Sequence, residues 1–396
     1  EERARAALTR TLRVHQRHSA PSSPLGAAEE EEERGHPDRL PWRRLACTPG
    51  GLRALCREYR DGLAPLGEAP APAPSGLEAA LQQHQQWTWD LLGVLFSSPR
   101  ARLALGPAGP SLESVDQMEL DGGALSPDGA PTPTPTSTGE GAWEGAGEGA
   151  EDVTIIDHLE RRAGFSRWLQ DRAAADVEGD FARLGASGAP RAVFLRMSGR
   201  QVRHAAEAAV AQADVRLATL VAQHAQHGAV REDLAAQVAV WEREGFTKFI
   251  DPERLRAYHL LAGRVAEAQA GVPLGWRRSL GLHLWHALPN TAPLAEVLES
   301  YAAAVGGGAA EPPVPKYAES GLARALAAAR APPEDVDYHL MRLFAGDEYD
   351  TPEALARLLR PAALSPDPLV HAPSWHLASA LSAVHEVGAA LLGGGG

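Results

Sequence analysis

The sequence predicts an all-α protein, an elongated and irregular stack of helices with no sheet, and three observations carry that reading. Helix-start signals recur along the chain, each set just ahead of an apolar run. The runs themselves, roughly fourteen of about 10 to 18 residues, are joined by connections short enough to stack neighbours on each other. No stretch makes a convincing strand. No fixed tetratricopeptide, ankyrin or HEAT period emerges when the helices are laid against one another, so the stack is not a regular repeat.

The elements follow in order. Glu29 to Glu33 is an unbroken acidic run and Ala64 to Gly76 a Pro/Ala linker; both read as spacers. Ser75 with Glu78 forms a capping box ahead of "LQQHQQWTWDLLGVLF". From Gly106 to Ala150 the chain is Pro, Gly, Ser, Thr and Glu, too poor in apolar surface to offset the entropy of ordering, and is expected to be disordered. Ser198 with Gln201 marks a second capping box, ahead of "VRHAAEAAVAQ". Asp214 is placed to cap a helix that Gly228 closes. Asp251-Pro252 and Thr351-Pro352 each set a cap residue before a proline at the first helical position.

Composition removes several function classes. At 396 residues the chain exceeds the size at which one compact core stops growing, which favours two domains or an elongated architecture. The 38 basic residues against 51 acidic ones leave a net charge of -13, which argues against a phosphate-neutralising surface and hence against a nucleic-acid partner. Lys248 and Lys316 are the only lysines; the arginine, alanine, glycine and proline excess reads as the bias of a GC-rich genome. Cys47 and Cys56 belong to no metal-binding pattern and read as small apolar fillers in a protein of a reducing compartment. No apolar run approaches the roughly 20 residues of a membrane helix, so membrane insertion is not expected. With Glu1 first and no signal-like segment, a fragment or a processed chain is expected. Neither a dinucleotide fingerprint nor a P-loop occurs.

The stretch "GWRRSLGLHLWHALP" (Gly275 to Pro289) holds two tryptophans, two histidines and two arginines. On a helix beginning near Leu274, the residues Leu280, Leu284, Trp285 and Leu288 share one face, while Trp276 and Leu282 lie toward other sides. An apolar surface nearly all round predicts burial among several helices, with Arg277 and Arg278 reaching out from the first turn. His283 and His286 have the spacing of a metal pair, but no carboxylate stands at helical spacing to complete the site. The same spacing recurs at His15/His18 and His224/His227 without a common context. A metal-dependent hydrolase would need these pairs as ligands; satisfied core or groove histidines are the plainer reading. No Gly-x-Ser-x-Gly elbow or His-Glu-x-x-His helix is present, so no catalytic residue, cofactor or metal is assigned.

Seven segments in collinear order carry a resemblance. They are "LERRAGFSRWLQ" (Leu159 to Gln170), "FLRMSGRQVRHAAEAAVAQADVRLATLVAQ" (Phe194 to Gln223), "VREDLAAQVAVWERE" (Val230 to Glu244), "FIDPERLRAYHLLAG" (Phe249 to Gly263), "GWRRSLGLHLWHALP", "DYHLMRLF" (Asp337 to Phe344) and "LSPDPLVHAPSWHLASAL" (Leu364 to Leu381). Over Leu159 to Leu381 the chain resembles the ninety-six-kilodalton scaffold nucleoporins of the nuclear pore Y complex, of the ancestral coatomer element type.

That resemblance implies an α-solenoid-like trunk that makes a U-turn through a crown of helices and returns. It implies N-terminal helices and linkers over 1–74, an outward trunk over 75–184, a crown over 185–271 and a return trunk over 272–396. Trp168, Leu280, Leu284, Trp285, Leu288 and Trp375 are then trunk core. It implies localisation at the nuclear envelope and a structural role supporting pore assembly, mRNA export and protein import. Implied partners are other Y-complex nucleoporins, among them a crown-docking neighbour of the same fold, and a β-propeller subunit shared with vesicle coats. The blade that binds the propeller is expected to be missing here, as is the family's further helical tail. The apolar residues of the helix Asp214 to His227 occupy more than one face, so Arg216, Leu217, Leu220 and Val221 are expected at the crown contact. The competing reading has the crown helices Gln201 to Gln212 and Val230 to Glu244 bury both faces. A vesicle-coat rod protein shares the architecture; "RSLGLHLW" favours the nucleoporin.

Overall fold

The computed structural model describes residues 10–15, 17–18, 51–63, 76–97, 148–184, 189–224, 228–315, 334–345, 359–365 and 370–393. Among these residues the chain is helical throughout, with no strand. Fourteen α-helices follow one another: α1 (Gly51–Gly62), α2 (Gly76–Phe96), α3 (Glu148–Ala182), α4 (Ala189–Met197), α5 (Val202–Ala211), α6 (Val215–His224), α7 (Gly228–Arg243), α8 (Pro252–Leu261), α9 (Val265–Gln269), α10 (Trp276–Leu282), α11 (Leu294–Gly306), α12 (Val336–Ala345), α13 (Pro361–Leu364) and α14 (Ala372–Gly393). Residues 10–15 add a further helical stretch. Cys47, Ser75, His227, Thr351 and most of the 106–150 spacer lie outside the described residues.

Helix starts obey local chemistry where a carboxylate is available. Asp251 accepts from the backbone N–H of Glu253 and Arg254, with Pro252 in the first turn of α8, and Asp214 accepts from Leu217 N–H at the start of α6. Two of the expected signals mean something else. The Ser198 hydroxyl donates to the Leu195 carbonyl at the end of α4 and caps nothing, while Gln201 precedes α5 without a side-chain cap bond. Gly228 opens α7 and does not close α6, which ends at His224.

The real punctuation at Ser198 is a C-terminal motif. The Arg196 carbonyl accepts from Gln201 N–H at 2.9 Å, with Arg200 between them at φ 56°. The same five-residue bond closes α5 (Ala209 to Asp214, Ala213 at φ 58°), α8 (His259 to Arg264, Gly263 at φ 77°) and α11 (Ala304 to Ala309, Gly308 at φ 71°). Two of these four ends put a side-chain-bearing residue in the left-handed region, at a cost of about 1–2 kcal/mol each. Without a glycine at the left-handed position itself, those ends are hard to see in the sequence.

The buried side chains form two cores. The first joins α1, α2 and α3 to α10, α11, α12 and α14 through Tyr59, Leu91, Leu92, Trp168, Tyr301, Leu340 and Leu377. The second lies within α4 to α9 and includes Phe194, Leu217, Val221, Val238 and Leu261. α10 stands between them: Trp276, Leu280 and Leu284, four apart, pack into the first core, whereas Leu282 enters the second. Trp276 therefore shares the Leu280 face, contrary to expectation. Each fully buried leucine contributes about 1.5–3 kcal/mol, so a helix apolar on all sides is stabilised from both.

Candidate functional site

A buried polar cluster lies inside the first core. Arg277 donates from Nη2 to Asp335 Oδ2 at 2.8 Å and to Asp337 Oδ2 at 2.6 Å. Trp276 Nε1 donates to Asp335 Oδ2 at 3.2 Å, Asp337 N–H to Asp335 Oδ1 at 2.9 Å and the Thr88 hydroxyl to Asp337 Oδ1 at 2.8 Å. Both aspartates are fully buried. The guanidinium carbon lies 4.4 Å from the Trp276 ring centroid and 5.1 Å from that of Trp87, so aromatic faces replace water around the cation. Burial alone would lower the pKa of Arg277, but the two carboxylates outweigh it and hold the guanidinium above its ordinary value. Burial likewise drives the Asp335 carboxyl upward, against the pull of Arg277.

Arg277 and its neighbour thus do not reach into solvent as the sequence predicts; they are 8% and 3% exposed. Arg278 donates to Asp180 of α3 and to the Ser198 hydroxyl. The serine that fails as a cap is the acceptor that ties α10 to the end of α4.

His84, Asp335 and Asp337 present ligand atoms within 4.8 Å of one another, the one such group among the described residues. The donor set does not suit a cation. All four carboxylate oxygens already accept from Arg277, Trp276, Thr88 or the Asp337 amide, and the guanidinium holds the charge a metal would supply. His84 Nε2 stands 3.3 Å from the Ala363 carbonyl. The arrangement joins α2, α10 and α12 as an internal clamp.

His283 and His286 turn to different partners. His283 Nδ1 bonds the Ser300 hydroxyl at 2.8 Å, while His286 Nδ1 lies 2.7 Å from His224 Nε2, the rings 4.9 Å apart and nearly parallel. Burial lowers His224 and His283 to about 4, and His286 well below its ordinary value. Neutral imidazoles thus join the two cores, His286 from the π turn that follows α10 and His224 from α6.

Of the trunk residues singled out in the sequence, Trp168, Leu280 and Leu284 are buried, and Trp285, Leu288 and Trp375 half-buried. Trp285 lies back over Gly281, where an added Cβ would meet its ring at 2.6 Å, and its Nε1 donates to Ser166 at 2.9 Å. Trp375 packs 4.6 Å from the His15 ring. Of the residues expected at the crown contact, Leu217 and Val221 are buried in the second core, Leu220 is half-buried and Arg216 exposed.

The exposed apolar residues of this core are others: Val210, Val215, Phe246 and Phe249, the last 77% exposed. Asp214 pairs with Arg254 at 2.6 Å, tying the start of α6 to that of α8, so Val215 and Phe249 belong to the same end of the core. Val210 lies near the end of α5, Val215 opens α6, and Phe246 and Phe249 bound a 3-10 turn ahead of α8, so these residues come from three elements and share no single helix face.

Fold and site together define an all-α structural stack, its distinctive charged groups engaged in holding its own helices. A family model described as Nup96, nuclear protein 96, matches residues 191–391, slightly more than half of the 396 residues. The chain belongs to the nuclear protein 96 family. It is 29% identical over 336 residues to "Nuclear pore complex protein NUP96" of Arabidopsis thaliana, covering 84% of this chain and 29% of that protein. It is 28% identical over 196 residues to "Nuclear pore complex protein Nup98-Nup96" of Drosophila melanogaster, covering 48% of this chain and 10% of that one. The chain therefore spans under a third of the length of either relative.

Proposed function

We propose that this chain is the helical scaffold portion of a nucleoporin at the nuclear pore, a structural subunit of the Y complex that holds partner nucleoporins in geometry. The observation that carries the reading is family membership over a stack whose buried charges clamp helix to helix. The role supports pore assembly and, through it, mRNA export and protein import, without chemistry of its own. The first core is the trunk and the second the crown. Among the described residues no helix is long and apolar enough to cross a membrane.

The crown contact with a neighbouring nucleoporin of the same fold moves to the surface that the structure leaves open: Val215 and Phe249, with Arg216 beside them. Co-purification of the full chain with Y-complex nucleoporins from native extract tests both levels. Loss of one nucleoporin partner from Val215→Asp/Phe249→Asp, with the melting temperature kept, is the expected result. Retention of every partner removes the crown assignment, and failure of the parent chain to bring down any nucleoporin removes the scaffold reading itself.

A further inference from the structure

Arginines in this acidic chain generally find carboxylates. Arg60 and Arg172 share Asp90; Arg196 pairs with Glu178, Arg254 with Asp214, Arg264 with Glu242, Arg277 with Asp335 and Arg278 with Asp180. Arg161 and Arg162 of α3 are different. Among the described residues neither has an acidic partner. Arg161 donates from Nη1 to the Leu95 carbonyl at 2.7 Å and stands 5.6 Å over the Phe344 ring. Arg162 donates to the carbonyls of Ala292, Leu284 and Pro289, closing the chain between the π turn and α11. Burial, with Arg200 nearby, pulls the Arg162 guanidinium below its ordinary range, the mark of a cation without its counter-charge.

These two arginines and His158 line a cavity of about 180 Å³. Its floor is apolar: Leu95, Phe165, Leu284, Leu294 and Phe344. The first turn of α11 enters it through Pro293, Leu294 and Ala295, and Pro293 supplies no side-chain cap. The positive end of that helix therefore adds to the field of the arginines; Glu296 of the same turn does not line the cavity. An apolar floor under cations that have no acidic partner among the described residues fits neither a bare phosphate, which leaves the floor in water, nor a neutral apolar ligand, which leaves the charges without partners.

We infer that this cavity is a docking site for an acidic peptide segment of a partner protein, one large apolar side chain seated on Phe165 and Phe344 and flanking carboxylates on Arg161 and the start of α11. Arg162 already makes three hydrogen bonds to carbonyls, and its part in the site is its charge. The site lies in the first core, away from the Val215 and Phe249 patch, and stands whether or not the crown assignment does.

Fluorescence anisotropy on the full chain tests it, with a labelled twelve-residue peptide carrying one phenylalanine among glutamates. Saturable binding is expected, weakened at least about tenfold when glutamine replaces the glutamates and again when serine replaces the phenylalanine. Arg161→Glu should weaken the acidic peptide by a similar factor and favour a peptide with lysines in place of the glutamates. Should that variant fail to fold, the peptide series on the parent chain decides. Equal binding of the neutral peptide, no saturable binding, or an unchanged affinity in a folded Arg161→Glu variant overturns the inference. Tighter binding after replacing every carboxylate between residues 103 and 147 by its amide would also overturn it, because the chain's own acidic stretch would then be the occupant.

Discussion

At the scale of single residues, the decisive group is Arg277. Its two hydrogen-bonded carboxylates, Asp335 and Asp337, and the Trp276 ring that faces the guanidinium are buried with it, so removing the cation leaves two carboxylates without their counter-charge. Arg277→Met is expected to cost about 3–5 kcal/mol in denaturant unfolding. Arg277→Met combined with Asp335→Asn and Asp337→Asn should recover a large part of that loss, since the penalty belongs to the orphaned charge; a triple variant no better than the single one contradicts this account. The histidines set a pH dependence. His224, His283 and His376 have folded pKa values of about 4, against an unfolded value near 6.5. Between those values the unfolded chain binds more protons, so stability is complete above about pH 6.5 and is lost as pH falls toward 4. Asp335 acts in the opposite sense, and the informative comparison is therefore between parent and His283→Asn. The drop in melting temperature from pH 7.5 to pH 5 should be smaller in the variant by about 2–4 °C, and an identical drop in both rejects the assignment.

At the scale of an element, α10 and the π turn behind it show how tightly one helix constrains its sequence. Pro289 biases Leu288 to an extended conformation, and the chain leaves the helix there at φ -114°, ψ 156°. Arg162 accommodates the freed Leu284 carbonyl and Arg231 that of Ala287, so the end is satisfied by side chains from α3 and α7. Within the helix, Gly281 makes room for the Trp285 ring, which turns back over it to reach Ser166. Gly281→Ala should cost about 1–3 kcal/mol by overpacking, and Trp285→Ala about 3 kcal/mol, the low end for a tryptophan because the ring is only half-buried. A double-mutant cycle checks the cause: the glycine substitution should be nearly harmless in the Trp285→Ala background. Strict additivity would mean that the ring and the added methyl do not compete.

At the scale of the whole molecule, two cores share one helix and two histidines. Leu280 is fully buried in the first core and Leu282 in the second, two residues apart on α10. Arg278 bonds the end of α4, and His286 bonds His224 of α6, so the cores are joined by polar links as well as by packing. We expect Leu280→Ala and Leu282→Ala each to cost about 2–5 kcal/mol. Hydrogen exchange should then accelerate in both cores in either variant, because α10 cannot loosen on one side alone. Acceleration confined to the core that lost its leucine would show two independent folding units.

The helical class, the starts of α6 and α8, and the burial of the Trp276 helix are legible in the sequence because each rests on chemistry within one or two turns. An aspartate reaches the N–H two or three residues ahead, and a helix apolar on every side must be covered on every side. Direction was not legible. Leu217 and Val221 read as a surface and are core; Arg277 and Arg278 read as solvent-facing and are clamps. At the ends near Arg200 and Ala213 the left-handed position is not a glycine, so Ser198 reads as a cap in the sequence. In each case the deciding partner is remote: Asp335 and Asp337 lie 58 and 60 residues from Arg277, and Asp180 lies 98 from Arg278. Where an apolar residue or a charge ends up depends on which helix arrives opposite it, and that is decided only when the stack closes and water is excluded between its layers.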